Sequence, residues 1–416
     1  MSKIKLEIEK ESMLMAYLFA FFIPFYPNIL GVLVLMLWVE QWIRRTPIKK
    51  VYVYSQLSWK NPNIWLLLFY VMHLVGMIYT QNMSFAIKDI GMKASFAILP
   101  IFFLLYPIRI KWNVFINAFI VGTFLSIIVN FSHSIYLYSE WKEFNAFTGT
   151  HISTFMHRGY WSVYLMLAYY FVLQKMISSR DRKTTFWGIL GAVVILVMNV
   201  FTESKIGMLL FITISVWMGI QLFLMMKNKL ILGGIISVFV VGIFVISLFL
   251  PTTFERITKA FNESSTSIEQ VNKENPSSTE SRMMVWDSSI ELIKENPVFG
   301  VGTGDIKDVL IERNYEKGYV AVAEQKLNCH NQFFNTQLAL GMFGTLFLLM
   351  SFVTNLFKKS SDTYYSWRVM ICVLLFLAIL PESMLETQAG IIPFAFLLGI
   401  LSLIREEPLV EHSNIK

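Results

Sequence analysis

Charged residues and cysteines are scarce in this chain. Only 15% of its 416 residues are Asp, Glu, Lys or Arg, whereas 55% are hydrophobic. This composition leaves too few polar side chains to cover a chain of this length in water, which excludes an ordinary soluble domain and indicates an integral membrane protein. The two cysteines, Cys329 and Cys372, lie in different surroundings, one beside a polar loop and one in an apolar run, so no disulfide framework is indicated.

Sequence signals for metal and nucleic-acid binding are also missing. No Asp-x-Asp pair occurs anywhere in the chain, which argues against a glycosyltransferase that holds a diphosphate through a divalent metal. His151 and His157 stand six residues apart without a nearby Cys or acidic pair, which makes a poor metal site. The net charge of +7 comes from short basic clusters between apolar runs, which is how signals for membrane topology are distributed. No nucleic acid is therefore expected as a partner. We expect neither a metal nor another cofactor.

The apolar runs predict an all-α, polytopic membrane helix bundle with about twelve spans. A spanning helix needs about 20 mostly apolar residues, although several of these runs are short or broken. The predicted spans are residues 13–26, 27–43, 63–79, 94–107, 112–138, 159–178, 186–203, 205–226, 230–250, 332–357, 367–380 and 388–404.

The basic residues predict the orientation of these spans. If the N-terminus is cytoplasmic, every alternate link is rich in Lys or Arg, which satisfies the positive-inside rule. Both termini are then cytoplasmic, and the opposite side receives one large loop. The chain therefore divides into N-terminal spans over residues 1–250, a large periplasmic loop over 251–331, and C-terminal spans over 332–416.

The large loop is expected to contain a short amphipathic helix followed by a glycine-rich turn. Ser277 and Glu280 have capping-box spacing, and apolar residues recur at helical intervals up to Asn296 and Pro297. Arg282 falls in the first turn of this helix. The run NPVFGVGTGD that follows is weak evidence for a nucleotide site and predicts a tight turn that reverses the chain.

His330 stands where the loop meets the next span, and the polar residues Asn331, Gln332, Asn335 and Gln337 follow it. At a spacing of seven residues, His330 and Gln337 are expected to share a helical face. One interpretation is an interfacial histidine satisfied by local backbone groups. The other is a general base at a water-filled cavity, which takes a proton from an acceptor hydroxyl.

Two basic residues also allow two interpretations each, one structural and one functional. Arg282 is either a surface arginine that reaches the lipid interface or a guanidinium fork that binds a diphosphate. Lys205, in the short outer link TESK, either anchors the membrane boundary or places a positive charge at a phosphate.

Four further residues, Asn331 beside His330 and three in outer loops, are candidates for the rim of such a site. His157 and Arg158 cluster in the loop HISTFMHRGYW, and Glu382 lies in the last outer loop, PESMLETQAG. Interfacial placement and helix capping are the simpler interpretations, and contact with an anionic substrate or a sugar is the functional one.

The segment from Arg282 to Gly344 resembles the signature of the O-antigen ligase and O-antigen polymerase superfamily of bacterial membrane glycosyltransferases. The resemblance rests on Arg282, Trp286, the run ENPVFGVGTGD, and the His330–Asn331 pair followed by QFFNTQLALGMFG. Topology supports it over the rest of the chain, and the ligase-related region is expected at about residues 190–350.

The resemblance implies a metal-independent, inverting transfer at the periplasmic face of the bacterial inner membrane. The donor would be a glycan on undecaprenyl diphosphate, and the acceptor of a ligase would be a sugar hydroxyl of lipid A core. By similarity, His330 would be the base and Arg282 would hold the diphosphate. The family's second diphosphate-binding arginine matches Lys205 here, which keeps the charge without the fork.

Two alternatives stay open at this point. A polymerase of O-antigen, capsule or exopolysaccharide shares the signature and the donor but uses a glycan acceptor. A transporter of lipid-linked sugars would also have about twelve spans. Transporters usually place ionisable residues near the bilayer midplane, whereas the candidate residues here cluster at one face, which favours an enzyme.

Overall fold

The computed structural model describes residues 13–106, 108, 110–179, 181–225, 268, 271–357, 364–401 and 403. Four predicted features lie outside these residues: the charged N-terminus, the span at 230–250, most of the first part of the large loop and the C-terminal tail.

The described residues form α-helices and short 3-10 turns, and these ranges contain no β-strand. Helix bounds follow the predicted apolar runs closely, and four short helices at 50–56, 83–93, 306–316 and 320–324 were not predicted. Numbered in chain order among the described residues, the helices are α1 Leu14–Phe25, α2 Leu30–Ile43, α3 Lys50–Gln56, α4 Pro62–Gly76, α5 Met83–Lys93, α6 Ser95–Leu105, α7 Trp112–Trp141, α8 Arg158–Ser178, α9 Arg182–Phe201, α10 Lys205–Met225, α11 Ser278–Glu295, α12 Ile306–Glu316, α13 Val320–Glu324, α14 Gln332–Val353, α15 Tyr365–Ala378 and α16 Gln388–Leu401.

Four of these helices, α7, α9, α10 and α14, are long and apolar enough to cross a membrane. The helices α1, α4, α15 and α16 are apolar but shorter, as is the combined stretch Pro27–Ile43 that includes α2. Because a bilayer core is about 30 Å thick, a helix of fewer than about 17 residues spans it only with help from its flanks. The fold is therefore a multi-pass helical one, and the count of twelve spans and the side of the large loop stay predictions.

The centre of the protein is built on α8 and α16. Both are hydrophobic on nearly all sides, and α8 is buried continuously from Gly159 to Val172. Helix α8 packs against α1, α7, α9, α10 and α15, whereas α16 packs against α2, α4, α5 and α6. A helix without a polar face must be enclosed by protein or lipid, which explains why the other helices surround these two.

Helix α14 is interrupted at Gly341, and the glycine-rich run NPVFGVGTGD forms hydrogen bonds with the helix next to the interruption. Gly341 has φ 64° and ψ −160°, values that lie outside the helical region. The carbonyl groups of Leu338 and Ala339 accept hydrogen bonds from the backbone N–H groups of Val301 (2.8 Å) and Gly302 (3.0 Å). Backbone groups freed by a broken helix must find other partners inside a membrane protein. The run therefore does more than reverse the chain, because it pairs with the interrupted helix.

The same run also contacts the end of α4. The Thr303 hydroxyl donates to the carbonyl of His73 (2.7 Å), and the Asp305 carboxylate accepts from the backbone N–H groups of Gln81 (2.8 Å) and Asn82 (2.7 Å). The loop that follows α11 is thus fixed between two helices, which gives α11 and the start of α14 a defined relative position.

Replacing Gly341 by alanine is expected to destabilise the protein. A Cβ at this position would lie 2.0 Å from the carbonyl oxygen of Val298, and the positive φ is unfavourable for alanine. Backbone strain of this kind costs about 1–3 kcal/mol before the clash is counted. The measurement is the midpoint of thermal unfolding of the detergent-purified protein, which should fall by several degrees.

The matched control is Gly31→Ala in α2, where a Cβ would meet nothing within 4 Å. Alanine favours a helix over glycine by about 0.5–1 kcal/mol, so this variant should be as stable as the parent or slightly more stable. Equal midpoints for the two variants would contradict the role assigned to Gly341.

Candidate active site

Two predicted site residues, Arg282 and His330, meet at the carboxylate of a third, Glu382. Its Oε2 accepts a hydrogen bond from Nη2 of Arg282 at 3.0 Å, and its Oε1 lies 2.8 Å from Nδ1 of His330. These side chains come from α11, the segment before α14 and the loop between α15 and α16, and each is about one-fifth exposed. Residues 282, 330 and 382 are far apart in the chain, so this cluster is a product of the tertiary fold.

The pairing with Glu382 determines which nitrogen of His330 can act as a base. An ionised carboxylate can only accept hydrogen bonds, so the proton between the two groups belongs on Nδ1 of His330. The lone pair of the neutral imidazole is then on Nε2. This arrangement, in which a carboxylate orients a histidine through Nδ1, is the one that general-base histidines use in enzymes.

Burial and nearby charges shift the pKa of Glu382 in opposite directions. Desolvation would raise its pKa, but the hydrogen bond from His330 and the charges of His330 and Arg282 outweigh it and lower the pKa below the ordinary value of 4.5. Glu382 is therefore ionised at neutral pH. It can hold both partners and stabilise a positive charge that forms on the imidazole.

The backbone holds His330 in an uncommon conformation. Its φ is 43°, in the left-handed region that few residues other than glycine adopt. Its N–H donates to Oδ1 of Asn328 at 3.0 Å, and the preceding carbonyl, of Cys329, accepts from Nε1 of Trp286 at 2.9 Å. Asn331 is the N-cap of α14, because its Oδ1 accepts from two backbone N–H groups of the first turn. The asparagine of the His-Asn pair therefore has a structural role, as the cap of α14.

Arg282 is positioned by the predicted capping box. The hydroxyl of Ser277 and the carboxylate of Glu280 form both reciprocal hydrogen bonds at the start of α11, as the sequence predicts. A guanidinium has five N–H donors. Besides the hydrogen bond from Nη2 to Glu382, Nε of Arg282 is buried without a hydrogen-bond partner among the described residues. The group therefore has donor capacity for an anion.

Lys205 lies against the same end of α11. Its Nζ donates to the hydroxyl of Thr279 at 2.9 Å, and Thr279 stands three residues before Arg282. Residues three apart on a helix are neighbours on one face. Lys205 is exposed, so its charge is accessible at the surface of the described part of the protein.

His157 and Arg158 form the adjacent side of this region. His157 caps α8 by accepting from the N–H of Gly159, and Nη1 of Arg158 lies 3.6 Å from Oε2 of Glu203, in the TESK link that precedes Lys205. Desolvation, together with the nearby charges of Arg158, His330 and Arg282, lowers the pKa of His157 despite the opposing effect of Glu382. His157 is therefore neutral at neutral pH and acts as a polar group rather than a cation.

One expectation about the start of α14 was wrong. His330 does not share a helical face with Gln337, because α14 begins two residues after His330, at Gln332. The Gln337 side chain instead donates to the carbonyl of Pro297 at 2.7 Å, where it helps to bind the glycine-rich run. The polar residues beyond His330 therefore hold the fold together at this point and do not line one continuous face.

Two groups near the site, Asp89 and Lys93 of α5, were missed in the sequence. Lys93 binds the carboxylate of Glu386, four residues after Glu382, and also contacts Asp89. The i,i+4 spacing of Asp89 and Lys93 was the available signal.

Fold and site together define a multi-pass helical membrane protein with a His–Glu–Arg cluster where helix ends and loops meet. Residues 190–349 match the family model of O-antigen ligase. Over this segment the match supports the predicted O-antigen ligase and polymerase superfamily, and with it a glycosyltransferase of that type. It includes Lys205, Arg282 and His330. No curated protein matches the chain.

Proposed function

We propose that this protein is an O-antigen ligase-like enzyme. It moves a glycan from undecaprenyl diphosphate to a sugar hydroxyl of lipid A core at the periplasmic face of the bacterial inner membrane. The observation that carries the proposal is the contact of one carboxylate, Glu382, with both His330 and Arg282. One group suits proton removal and the other suits binding of a diphosphate, and the transfer needs both at the same place.

In the proposed reaction, Nε2 of His330 takes the proton of the acceptor hydroxyl while the hydroxyl oxygen attacks the anomeric carbon of the donor sugar. The bond between that carbon and the diphosphate oxygen breaks, and its electron pair leaves with undecaprenyl diphosphate. Attack from the face opposite the leaving group inverts the anomeric configuration. Base catalysis by a positioned histidine typically contributes about 10²–10⁴-fold in rate.

The charge of the leaving diphosphate is neutralised by basic side chains in this proposal. Nε of Arg282 is a donor without a partner among the described residues, and Lys205 adds a point charge at the same end of α11. Glu382 keeps His330 in the correct tautomer and stabilises the imidazolium that forms, as the carboxylate of a catalytic triad does. His157, Arg158 and Asn331 are proposed as the rim of the substrate site.

Lys205 tests the proposed charge at the diphosphate. We expect Lys205→Arg to transfer glycan within about threefold of the parent, because the positive charge is retained. Lys205→Ala should lose about tenfold, which corresponds to about 1.4 kcal/mol of binding. The measurement is the rate of glycan transfer in membranes that contain equal amounts of each variant.

The matched control for Lys205 is Lys88→Ala, an exposed lysine on α5. This variant should behave as the parent does. If Lys205→Ala also transfers at the parent rate, Lys205 is a boundary anchor and has no part in binding the donor.

The experiment that tests the function follows the glycan in a strain that lacks this protein. Long chains left on undecaprenyl diphosphate, together with bare lipid A core, would support a ligase. Single repeats attached to the core would instead indicate a polymerase that uses the same donor. Lipid-linked material retained at the cytoplasmic face would show that the protein is a transporter and overturn the proposal.

A further inference from the structure

A buried ion pair lies behind the site. Lys93, at the end of α5, is fully buried, and its Nζ lies 2.6 Å from Oδ1 of Asp89 and 3.0 Å from Oε2 of Glu386. Asp89 is also buried, and its second carboxylate oxygen is 3.6 Å from Nδ1 of His73. Among the described residues, no hydrogen bond or ion pair connects these groups to a residue with a role in the proposed reaction.

The ion pair of Lys93 and Glu386 joins the two segments that carry His330 and Glu382. The other oxygen of Glu386, Oε1, accepts hydrogen bonds from the side-chain amides of Asn335 (2.8 Å) and Gln332 (3.2 Å) in the first turn of α14. Gln332 stands two residues after His330, and Glu386 stands four residues after Glu382. One carboxylate thus connects the beginning of α14, the last outer loop and α5.

Backbone contacts extend the same connection. The side-chain oxygen of Gln332 accepts from the N–H of Leu385 at 2.7 Å, and its backbone N–H donates to the carbonyl of Ile379 at 3.0 Å. The N–H of Asn331 donates to the hydroxyl of Ser383 at 3.2 Å. The segment from Ile379 to Glu386 is therefore held along the start of α14. His330 and Glu382 directly precede Asn331 and Ser383 in the chain, so their contact is next to these hydrogen bonds.

Stability alone gives no good reason for a lysine at this position. Removing two charges from water costs about as much free energy as their attraction returns, so a buried ion pair is often no more stable than well-packed apolar residues. Ionisable residues inside membrane proteins are rare for the same reason and usually serve a function. An ion pair instead contributes to positioning, because it fixes the relative positions of the charged groups.

We propose that Lys93 is a positioning residue for glycan transfer, which holds Glu386 so that the loop carrying Glu382 stays in place against His330. This inference rests on the proposed function. Lys93 itself is fully buried and acts only through Glu386. Its loss should slow the chemical step, since the distance between Glu382 and His330 depends on it, and should leave donor binding by Arg282 and Lys205 almost unchanged.

A charge-free variant separates positioning from stability. In Lys93→Met alone, the two carboxylates of Asp89 and Glu386 lose their buried counter-ion, so a failure of this variant to fold would not distinguish a positioning role from a stabilising one. The combined variant Lys93→Met, Asp89→Asn, Glu386→Gln contains no unpaired charge, and its glutamine oxygen can still accept from Gln332 and Asn335. It lacks only the link from α5 to the loop.

The experiment measures the transfer rate per folded molecule as a function of donor concentration, in membranes that contain lipid-linked glycan. We expect kcat of the charge-free variant to fall by about tenfold or more, with KM for the donor within about twofold of the parent. Lys93→Arg, which keeps the charge, should recover most of the rate. The control Lys88→Met, at an exposed lysine of the same helix, should match the parent.

Two results would overturn the inference in distinguishable ways. If the parent transfers glycan and the folded charge-free variant reaches the same kcat, the pair stabilises the fold and does not position the site. If the parent transfers no glycan at all, the proposed function fails and the positioning role fails with it.

Discussion

Replacement of His330 by asparagine is expected to reduce glycan transfer by at least about a hundredfold, the lower end of what a positioned base contributes. Asparagine is the sharpest substitution here because it tolerates the left-handed backbone conformation that His330 adopts, with φ 43°. Its side-chain amide can still donate to Glu382, but it has no basic nitrogen. The fold is therefore kept and only the proton acceptor is lost.

The matched control is His151→Asn. His151 lies in the predicted outer loop before α8, is exposed, and packs edge-on against the ring of Trp141. It should transfer at the parent rate. Both variants are measured in membranes with equal amounts of protein, and the thermal unfolding midpoint of each reports whether it is folded. A folded His330→Asn protein with parent activity would remove His330 from the mechanism.

Replacement of Arg282 by lysine is expected to weaken use of the donor by about tenfold to a hundredfold. Lysine keeps the charge and can pair with Glu382, but it loses the planar fork that forms two parallel hydrogen bonds to a phosphate group. Charge-assisted hydrogen bonds contribute about 1.5–3 kcal/mol each, which corresponds to a loss of this size. The loss should be largest at low donor concentration. The measurement is the dependence of the transfer rate on the concentration of lipid-linked glycan.

The control for Arg282 is the same substitution at Arg313. Arg313 lies on α12 and forms ion pairs with Glu291, Glu295 and Glu316. Surface ion pairs contribute little, and no role in donor binding is assigned to this group, so Arg313→Lys should resemble the parent. If Arg282→Lys and Arg313→Lys depend on donor concentration in the same way, Arg282 does not bind the diphosphate.

Local features of the fold were predictable from the sequence. The capping box of Ser277 and Glu280 places the start of α11 correctly because a helix cap depends on residues only three apart. The bounds of the long apolar helices follow for a similar reason, since a continuous apolar run has few alternatives to a helix in a membrane. The match of residues 190–349 to the O-antigen ligase model was also predictable, because the signature of that superfamily is a short stretch of residues.

Other features depend on contacts between distant segments and could not be predicted. The start of α14 at Gln332 is set by Asn331 as the cap, and its break at Gly341 is stabilised by a run some forty residues earlier in the chain. Helical spacing in a sequence does not show where a helix begins, which is why His330, which precedes α14, was wrongly placed on one face with Gln337. Lys93 and Glu386 are nearly 300 residues apart, and the pairing of two such charges is visible only in the folded chain.

The central claim is that this chain itself transfers glycan and uses His330 to do so. The most direct test places the purified protein in liposomes with two components extracted from a strain that lacks it, lipid-linked glycan and bare lipid A core. We predict that core-linked glycan forms with the parent protein and not with His330→Asn. Absence of product with the parent, or equal amounts of product with both proteins, would contradict the account.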